Sequence, residues 1–226
     1  MTKPRHELKY FINTSDYLAI KNRIKYIASL DRNASSSGTY HIRSLYFDNF
    51  NDKALMEKIN GYSRREKFRI RYYNDNFDFI RLEKKSKVNG LCSKFSAKIS
   101  KEECIKIINN DIDWMLNCDR PLIQEFYYKI KSQMLKPKTV VDYVREAYIY
   151  KAGNVRITFD KNVRSGICSL DLFNVNLPTM KIPNNDTIIL EVKFDEFLPD
   201  IIKDVIQTNT RKPTSISKYA NSRMFG

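Results

Sequence analysis

Cationic and apolar residues alternate through residues 64–101, and this alternation constrains the fold more than any other feature of the sequence. The segment contains 12 Lys or Arg residues but only 4 Asp or Glu residues. Within it, Arg69 and Arg71 alternate with Phe68 and Ile70. Because successive side chains of a strand point to opposite faces, the pattern predicts a strand with one cationic face and one apolar face.

A second strand with the same pattern follows after a turn. Arg81, Glu83 and Lys85 alternate with Leu82, and the Asn-Asp-Asn sequence at 74–76 is typical of a tight turn. We therefore expect a β-hairpin. A solvated strand face and a surface that binds a polyanion are equally good interpretations of this segment alone, although solvated faces usually carry both signs of charge.

The overall charge indicates an anionic partner. The formal net charge is +14 and the isoelectric point is about 9.5, which suits nucleic acid, acidic lipid, a nucleotide or polyphosphate. No apolar run approaches the roughly 18 residues of a membrane span, and the first residues lack the apolar region of a signal peptide. We therefore expect no membrane span.

The four cysteines, Cys92, Cys104, Cys118 and Cys168, show neither CxxC spacing nor a neighbouring histidine. This spacing indicates neither a zinc site nor a disulfide framework. Free thiols in a chain without a signal peptide are typical of the reducing cytoplasm, which is the location we predict. No change of composition marks a linker, so we expect a single domain over residues 1–226.

At least seven predicted strands carry ionic residues on alternate positions, and helices are predicted between them. The Ser-Lys-Glu-Glu sequence at 100–103 is a capping box, and Pro121 suits the first turn of a helix. An α+β fold follows, in which a closed antiparallel barrel of about eight strands turns its ionic face inward and helices pack outside. Lys and Arg enclosed in this way repel one another, so the pattern predicts a polyanion inside.

Phosphate matches this pattern better than nucleic acid does. Most aromatic residues alternate with the cations, where a core would bury them, so they are not placed to stack on bases. Arg binds phosphate oxygens through a planar fork, and Lys binds them as a point charge. No GxxxxGK sequence is present, which excludes a P-loop. His6 and His41 are better interpreted as structural residues than as general bases.

Three glutamates each precede a lysine by two residues on the same predicted strand face: Glu7 and Lys9, Glu83 and Lys85, and Glu191 and Lys193. Each pair could be an ion pair along the strand. Alternatively, the three carboxylates could converge on Mg²⁺ or Mn²⁺, hard ions that take carboxylate and phosphate oxygens. Cations and a metal would suffice for phosphoryl transfer, which needs positioning more than a protein nucleophile.

Seven segments resemble, in order, the polyphosphate polymerase (VTC) domain of the triphosphate tunnel metalloenzymes, a group that includes the CYTH proteins. They are RHELKY at 5–10, IRSLYFD at 42–48, KFRIRY at 67–72, LEKK at 82–85, VRITFD at 155–160, LEVK at 190–193 and SISKY at 215–219. The resemblance implies an eight-stranded antiparallel tunnel that binds triphosphate and a divalent metal. Polymerase members of the family transfer the γ-phosphate of ATP to a polyphosphate chain and release ADP.

The resemblance also assigns site residues. The phosphate-binding positions are Lys9, Arg43, Arg69, Arg71, Lys85, Arg145, Arg156, Lys193 and Lys218, of which Arg69, Arg71, Lys85, Arg145 and Arg156 would bind ATP. Glu191 matches the metal-binding glutamate, and Glu7 and Glu83 are further candidates for Mn²⁺ or Mg²⁺. We predict a phosphotransferase that acts on ATP and polyphosphate and not on nucleic acid. A tunnel triphosphatase, acting on inorganic triphosphate or nucleotides, and a non-catalytic polyphosphate-binding module remain the alternatives.

Overall fold

The protein is built on one antiparallel sheet. The computed structural model describes residues 3–32, 34–35, 37–167, 169–182, 187–208 and 211–224, so that Cys168 lies outside the described residues. The strands of the sheet are β1 (His6–Ile12), β2 (Ser29–Leu30), β3 (Thr39–Asp48), β4 (Arg64–Tyr73), β5 (Asn76–Val88), β6 (Leu91–Ile99), β7 (Lys136–Tyr150), β8 (Val155–Ser165), β9 (Met180–Lys181) and β10 (Ile188–Phe194).

Eight strands form a continuous path in the order β1-β10-β8-β7-β3-β4-β5-β6, and β2 and β9 pair with β7 and β8. All of these pairings are antiparallel. The two end strands meet at one isolated bridge, in which Arg5 and Cys92 exchange backbone hydrogen bonds of 3.0 and 3.1 Å.

The predicted α+β class with an antiparallel sheet is confirmed, whereas the predicted eight-stranded closed barrel is not. In the described residues the sheet has ten strands, and no continuous ladder joins its first and last strands. The sequence pattern could not reveal β2 and β9 because two residues are too few to show an alternation.

The predicted hairpin is present as β4 and β5. Arg69 lies opposite Glu83, and Ile70 lies opposite Leu82. The turn passes through Asn74 and Asp75, which have φ angles of 50° and 52°. Asn and Asp tolerate this left-handed conformation better than most residues, which explains why they occupy the turn.

In the described residues six α-helices accompany the sheet: α1 (Thr14–Ile24), α2 (Lys53–Ile59), α3 (Lys101–Ile108), α4 (Pro121–Gln133), α5 (Asp200–Ile206) and α6 (Lys218–Met224). The predicted capping box begins α3, where Ser100 and Glu103 bond each other's backbone N–H groups. Pro121 occupies the first turn of α4 as predicted. No helix in the described part of the chain is both long and apolar enough to cross a bilayer.

The apolar face of the sheet is covered by helices. Ile70 and Leu82 are fully buried in a core that includes Phe126 of α4 and Ile107 of α3. A second core joins α1 and α5 to β8 and β10. Burial of one such side chain contributes about 1.5–3 kcal/mol, so these two cores determine which face of each strand points away from the helices.

The expectation that all helices pack outside is wrong for α6. Tyr219 of this helix stacks on Tyr46 of β3 at a centroid distance of 5.2 Å, and its hydroxyl donates to Asp48 at 2.7 Å. Ser222 lies 3.2 Å from the Thr139 hydroxyl of β7. These polar groups let α6 lie against the face of the sheet opposite the two cores, where Leu55 of α2 also packs.

Candidate functional site

The face of the sheet opposite the helix-covered cores carries alternating charges, and we call it the ionic face. Register brings opposite charges together on it, since residues paired across neighbouring strands project to the same side. The paired positions are Glu7 with Lys193, Lys9 with Glu191, Arg69 with Glu83, and Arg145 with Asp160. The ionic face is therefore a network of paired charges rather than a purely cationic surface.

A first cluster surrounds two carboxylates. Glu7 accepts from Lys9 at 2.8 Å and from Lys85 at 2.7 Å. Glu191 lies 2.7 Å from the Lys193 ammonium and 3.4 Å from that of Lys9. Lys85 belongs to β5 and Glu7 to β1, so this contact joins strands that are not neighbours along the eight-strand path. The ionic face is curved enough for its two ends to touch.

The lysines keep both carboxylates ionised. Burial and the charge of Glu191 raise the pKa of Glu7, but Lys9, Lys85 and Lys193 outweigh them and hold that pKa well below its usual range. Burial also raises the pKa of Glu191, but the charges of Lys193, Lys9 and Lys85 lower it by more. The pKa of Glu191 is therefore well below its ordinary value. At neutral pH these groups are carboxylates and can accept a metal ion or a proton donor.

A second cluster surrounds Glu83. Its carboxylate accepts from Arg69 at 2.6 and 2.8 Å and from Lys94 at 3.2 Å. Arg69 also donates to the Tyr46 hydroxyl at 3.0 Å. Burial raises the pKa of Glu83, but the charges of Arg69, Arg71 and Lys94 bring it far below its usual value. Glu83 thus fixes the orientation of an arginine fork.

Arg71 is held by hydroxyl groups. It donates to the Ser44 hydroxyl at 2.9 Å and to the Tyr143 hydroxyl at 2.7 Å, whereas its nearest approach to the Glu83 carboxylate is 3.8 Å. Neutral oxygens position the guanidinium without cancelling its charge. Arg71 therefore presents more uncompensated positive charge than Arg69 does.

A third cluster is centred on Asp160, which is fully buried. Its carboxylate lies 2.5 Å from Arg145 and 2.5 Å from Lys218 of α6. Both cations also lie over the ring of Tyr143, at 5.4 and 4.7 Å from its centroid. Burial raises the pKa of Asp160, and the two cations more than compensate, so that the pKa falls to about 2.

Arg156 lies on the same face and is anchored separately. Its guanidinium is 2.5 Å from Asp31 and 2.7 Å from the Tyr40 hydroxyl. About a third of its side chain remains exposed, 34%, compared with 15% for Arg69 and 10% for Arg145. Arg156 is therefore more accessible to solvent than these two arginines.

Arg43 lies on the opposite face and is not brought together with the other eight predicted phosphate ligands. It pairs in register with Tyr72 and Asp142, and its guanidinium forms two 2.8 Å bonds with Asp142. It also donates to the carbonyl of Asn174. Strand β3 is buried on both faces, so alternation alone could not show that Ser44 and Tyr46, not Arg43, face the cations.

Tyrosine hydroxyls are the functional groups that sequence reasoning missed. Tyr40, Tyr46 and Tyr143 lie among the cations and orient Arg156, Arg69 and Arg71, respectively. The expectation that most aromatic residues alternate away from the cations holds for Phe68 and Tyr72 of β4. It fails for Tyr73 and Phe79, whose rings lie 6.0 and 4.4 Å from the guanidinium groups of Arg71 and Arg81, and for the tyrosines of β3 and β7. The spacing of Tyr143 and Arg145, two residues apart on one strand, is the signal that could have revealed this.

The carboxylates fit a divalent metal only in part. Among the described residues, no group of three or more His, Cys, Asp or Glu side chains could hold a metal ion, and Glu83 is occupied by Arg69. Glu7 and Glu191 are adjacent because both contact Lys9 and Lys193. Two carboxylates completed by substrate phosphate oxygens are a common arrangement for Mg²⁺, so these two residues fit a metal that arrives with a phosphate ligand.

The ionic face opens into a cavity that contains about 640 Å³ of empty space, its open side included. Glu7, Lys9 and Lys85 belong both to the first cluster and to the wall of this cavity. Preorganised cations of this kind can bind the oxygens of several phosphate groups and stabilise charge on a phosphoryl group during transfer.

Several solved structures are similar to this chain. HpAC1 from Hippeastrum, which has a dominant triphosphatase activity, superposes with a TM-score of 0.57 at 14% identity, covering 97% of this chain and 95% of that one. The candidate adenylate cyclase bh2851 from Bacillus halodurans gives a TM-score of 0.49 at 13% identity, covering 84% of this chain and 80% of that one. A search of curated protein sequences finds no significant match.

The comparison with protein families is more specific. The family model of the VTC domain matches residues 4–225, nearly the whole chain. The match spans β1 through α6 and thus every strand that contributes to the ionic face. The chain belongs to the VTC domain family.

Proposed function

We propose that this protein is an ATP–polyphosphate phosphotransferase that depends on Mn²⁺ or Mg²⁺. The observation that supports this function best is the ionic face, where β1, β10, β8, β7, β4, β5 and α6 together present eight cations. They are Lys9, Lys193, Arg156, Arg145, Arg69, Arg71, Lys85 and Lys218. Their number and spread suit several linked phosphate groups, and membership of the VTC domain family suits the same substrates.

The chemistry requires binding and charge stabilisation more than proton transfer. A terminal oxygen of the polyphosphate chain would attack the γ-phosphorus of ATP, and the bond from that phosphorus to the β–γ bridging oxygen would break, releasing ADP. Arg71, held by neutral hydroxyls, is well placed to stabilise charge on the transferred group, as are the forks of Arg69 and Arg145. A metal held by Glu7 and Glu191 would neutralise phosphate oxygens.

The enclosed position of these cations also supports phosphate chains over nucleic acid. Exposure of Arg71 and Arg145 is only 4% and 8%, so a duplex lying on the surface would not reach them. A linear chain of phosphates is narrow enough to enter the site and would reach both arginines.

A triphosphatase is a second candidate, and the similarity to HpAC1 favours it, because that protein has a dominant triphosphatase activity. The same cations would bind the substrate, and water would replace the polyphosphate chain end as the acceptor. A third candidate, a non-catalytic polyphosphate-binding module, is favoured by the pairing of Glu7, Glu83, Asp160 and Glu191 with Lys or Arg, which leaves none of them free.

One assay distinguishes these functions. Purified protein is incubated with ATP and Mn²⁺, and the products are separated. We expect polyphosphate and ADP as the products, with one ADP released for each phosphate unit that is transferred to the polyphosphate chain. Orthophosphate with ADP would instead identify a triphosphatase, and the absence of turnover together with retained polyphosphate binding would identify a binding module. A parallel reaction with Arg71→Ala excludes a contaminating enzyme, since its turnover should fall.

A further inference from the structure

Lys67 of β4 lines the cavity into which the ionic face opens, and the proposed reaction does not use it. Its side chain is only partly exposed. Arg65 and Lys87 line the same cavity, and register places Lys67 opposite Lys85 of β5. The Lys67 amine therefore lies at the cavity wall among other cations.

The partners of Lys67 differ from those of Lys9 and Lys85. These two lysines contact the Glu7 carboxylate, at 2.8 and 2.7 Å. In the part of the chain that the structure describes, Lys67 forms no ion pair with a carboxylate. Its amine lies 3.3 Å from the Ser217 hydroxyl, which can donate a hydrogen bond as well as accept one. A neutral amine therefore fits this position without the loss of a salt bridge.

The charges around Lys67 favour that neutral form. Burial lowers the pKa of Lys67, and the charges of Lys85 and Lys9 lower it further, as does that of Arg69. Tyr46, whose ring lies 5.4 Å from the amine, raises the pKa, which nevertheless falls to about 7. Burial and a neighbouring cation are the two conditions that make a lysine amine nucleophilic.

The chemistry of the cavity identifies the reagent. Its cations attract an anion, whereas an amine nucleophile needs an electrophilic carbon. In an acyl phosphate, a single oxygen atom joins the phosphate group to the acyl carbon, so that binding of the phosphate brings this carbon close to the amine. The same cations stabilise the phosphate group as it leaves.

We propose that Lys67 is an acylation site for small acyl phosphates. The neutral amine attacks the acyl carbon, a C–N bond forms, and the bond from that carbon to the phosphate oxygen breaks. The electron pair of this bond leaves with the phosphate, which takes up the proton that the amine loses. The products are an amide and hydrogen phosphate. Lys9, Arg65 and Lys85 bind the phosphate group during this step.

Acylation changes the charge of the site. A bound polyanion favours the ammonium form of Lys67, and the amide cannot take up that proton, because acylation removes the charge of a lysine. Tripolyphosphate should therefore bind severalfold more weakly to the acylated protein. This consequence rests on the proposed function, since it assumes that the ionic face binds phosphate. The acylation itself goes beyond that function.

Site-resolved mass spectrometry tests the proposal. The wild-type protein is incubated with acetyl phosphate at pH 7, without ATP or metal, and the rate of acetylation is measured at each lysine. Lys25 and Lys106 are the matched controls, because both are exposed and lie outside the cavity. An ordinary lysine, with a pKa of about 10.4, is neutral in only about 4 of 10,000 molecules at pH 7. We therefore expect Lys67 to react at least about tenfold faster than either control.

Two further comparisons separate recognition of the phosphate group from reactivity of the amine. The N-hydroxysuccinimide ester of acetate carries no phosphate, so its preference for Lys67 over Lys25 should be severalfold smaller. Excess orthophosphate should slow the reaction of acetyl phosphate at Lys67 and leave that at Lys25 unchanged. Arg65→Gln should slow the reaction of Lys67 with acetyl phosphate more than its reaction with the ester.

Acetylation of Lys67 no faster than that of Lys25 and Lys106 would overturn the proposal. An undiminished preference for Lys67 with the ester would also overturn it, as would a rate that orthophosphate does not change, because either result would show that the cavity does not recognise the phosphate group. Failure of the proposed function alone looks different: ATP would not be turned over, whereas acetyl phosphate would still modify Lys67 preferentially.

Discussion

The Lys85 ammonium of β5 lies 2.7 Å from the Glu7 carboxylate of β1, although these two strands are not neighbours in the sheet path. The contact shows how far the sheet curves, since β1 is the first strand of that path and β5 is the last but one. It also places a lysine in the wall of the cavity into which the ionic face opens. Substitution of Lys85 therefore tests whether the ionic face binds phosphate.

Lys85→Met should weaken tripolyphosphate binding by about 10- to 100-fold, because it removes a buried charge-assisted donor. Lys84→Met is the matched control. Lys84 is adjacent in sequence but projects to the helix-covered face, where it pairs with Glu66. Calorimetry on both variants checks the prediction, and equal losses of affinity would contradict it.

Arg71 and Arg43 provide a second comparison between the two faces. Arg71→Ala should weaken tripolyphosphate binding about tenfold or more, because a guanidinium of the ionic face is lost. Arg43→Ala should instead destabilise the fold by about 3–5 kcal/mol, since it leaves the buried Asp142 carboxylate without its partner.

Urea unfolding and binding titrations measure the two effects separately. If Arg43→Ala unfolds the protein, the double variant Arg43→Met/Asp142→Leu removes both charges and allows the binding measurement. Normal stability with lost tripolyphosphate binding in the Arg43 variants would show that our assignment of the two faces is wrong.

Glu191→Gln tests the metal site. The amide keeps the shape of the side chain but removes a charged oxygen ligand. Turnover that depends on the divalent metal should therefore fall by at least about 10- to 100-fold, because substitution of residues that only support the metal ligands already has an effect of this size. Glu83→Gln is the comparison, because Glu83 is bound by Arg69 and lies outside the proposed metal pair. Titration of turnover with Mn²⁺ checks the prediction. Wild-type metal dependence in Glu191→Gln would leave Glu191 as only the ion-pair partner of Lys193.

Asp160 should make stability depend on pH in the acid range. Its pKa falls from 3.8 to about 2 in the folded protein, so the carboxylate stabilises the fold above pH 4 or so, and this contribution is lost as the pH falls towards 2. Asp160→Asn should therefore be less stable than wild type at pH 7, by an amount on the order of 2 kcal/mol. Urea unfolding from pH 7 to pH 2 should show the two proteins converging; a constant difference would contradict the prediction.

The face assignment could be predicted where one side of a strand is exposed or partly exposed and failed where both sides are buried. In β4 and β5, Arg69, Arg71, Glu83 and Lys85 lie on one face as predicted. In β3, Arg43 and Ser44 are both buried, so either could have faced the cations. The bonds that hold Arg43 on its face run to Asp142 and to the carbonyls of Leu172 and Asn174, 99 to 131 positions away in the chain, and a local pattern does not contain them.

The pairing of charges could be predicted less well than their positions. The sequence places each glutamate two residues from a lysine, and two of these pairs form, Glu191 with Lys193 and Glu7 with Lys9. Glu83 instead pairs with Arg69 of the neighbouring strand, and Glu7 additionally contacts Lys85 across the site. These partners depend on strand register and on the curvature of the sheet, which a local pattern does not contain.

The central claim, that phosphate binds among enclosed cations, is tested most directly by competition at physiological salt. Binding of DNA to an exposed basic surface falls by roughly 10³–10⁵ between 50 and 200 mM salt for 6–10 phosphate contacts, whereas enclosed charges are screened much less. We predict that tripolyphosphate displaces labelled ATP from the protein at about 150 mM salt, whereas duplex DNA at the same phosphate concentration does not. Displacement of ATP by DNA as effectively as by tripolyphosphate would contradict the account.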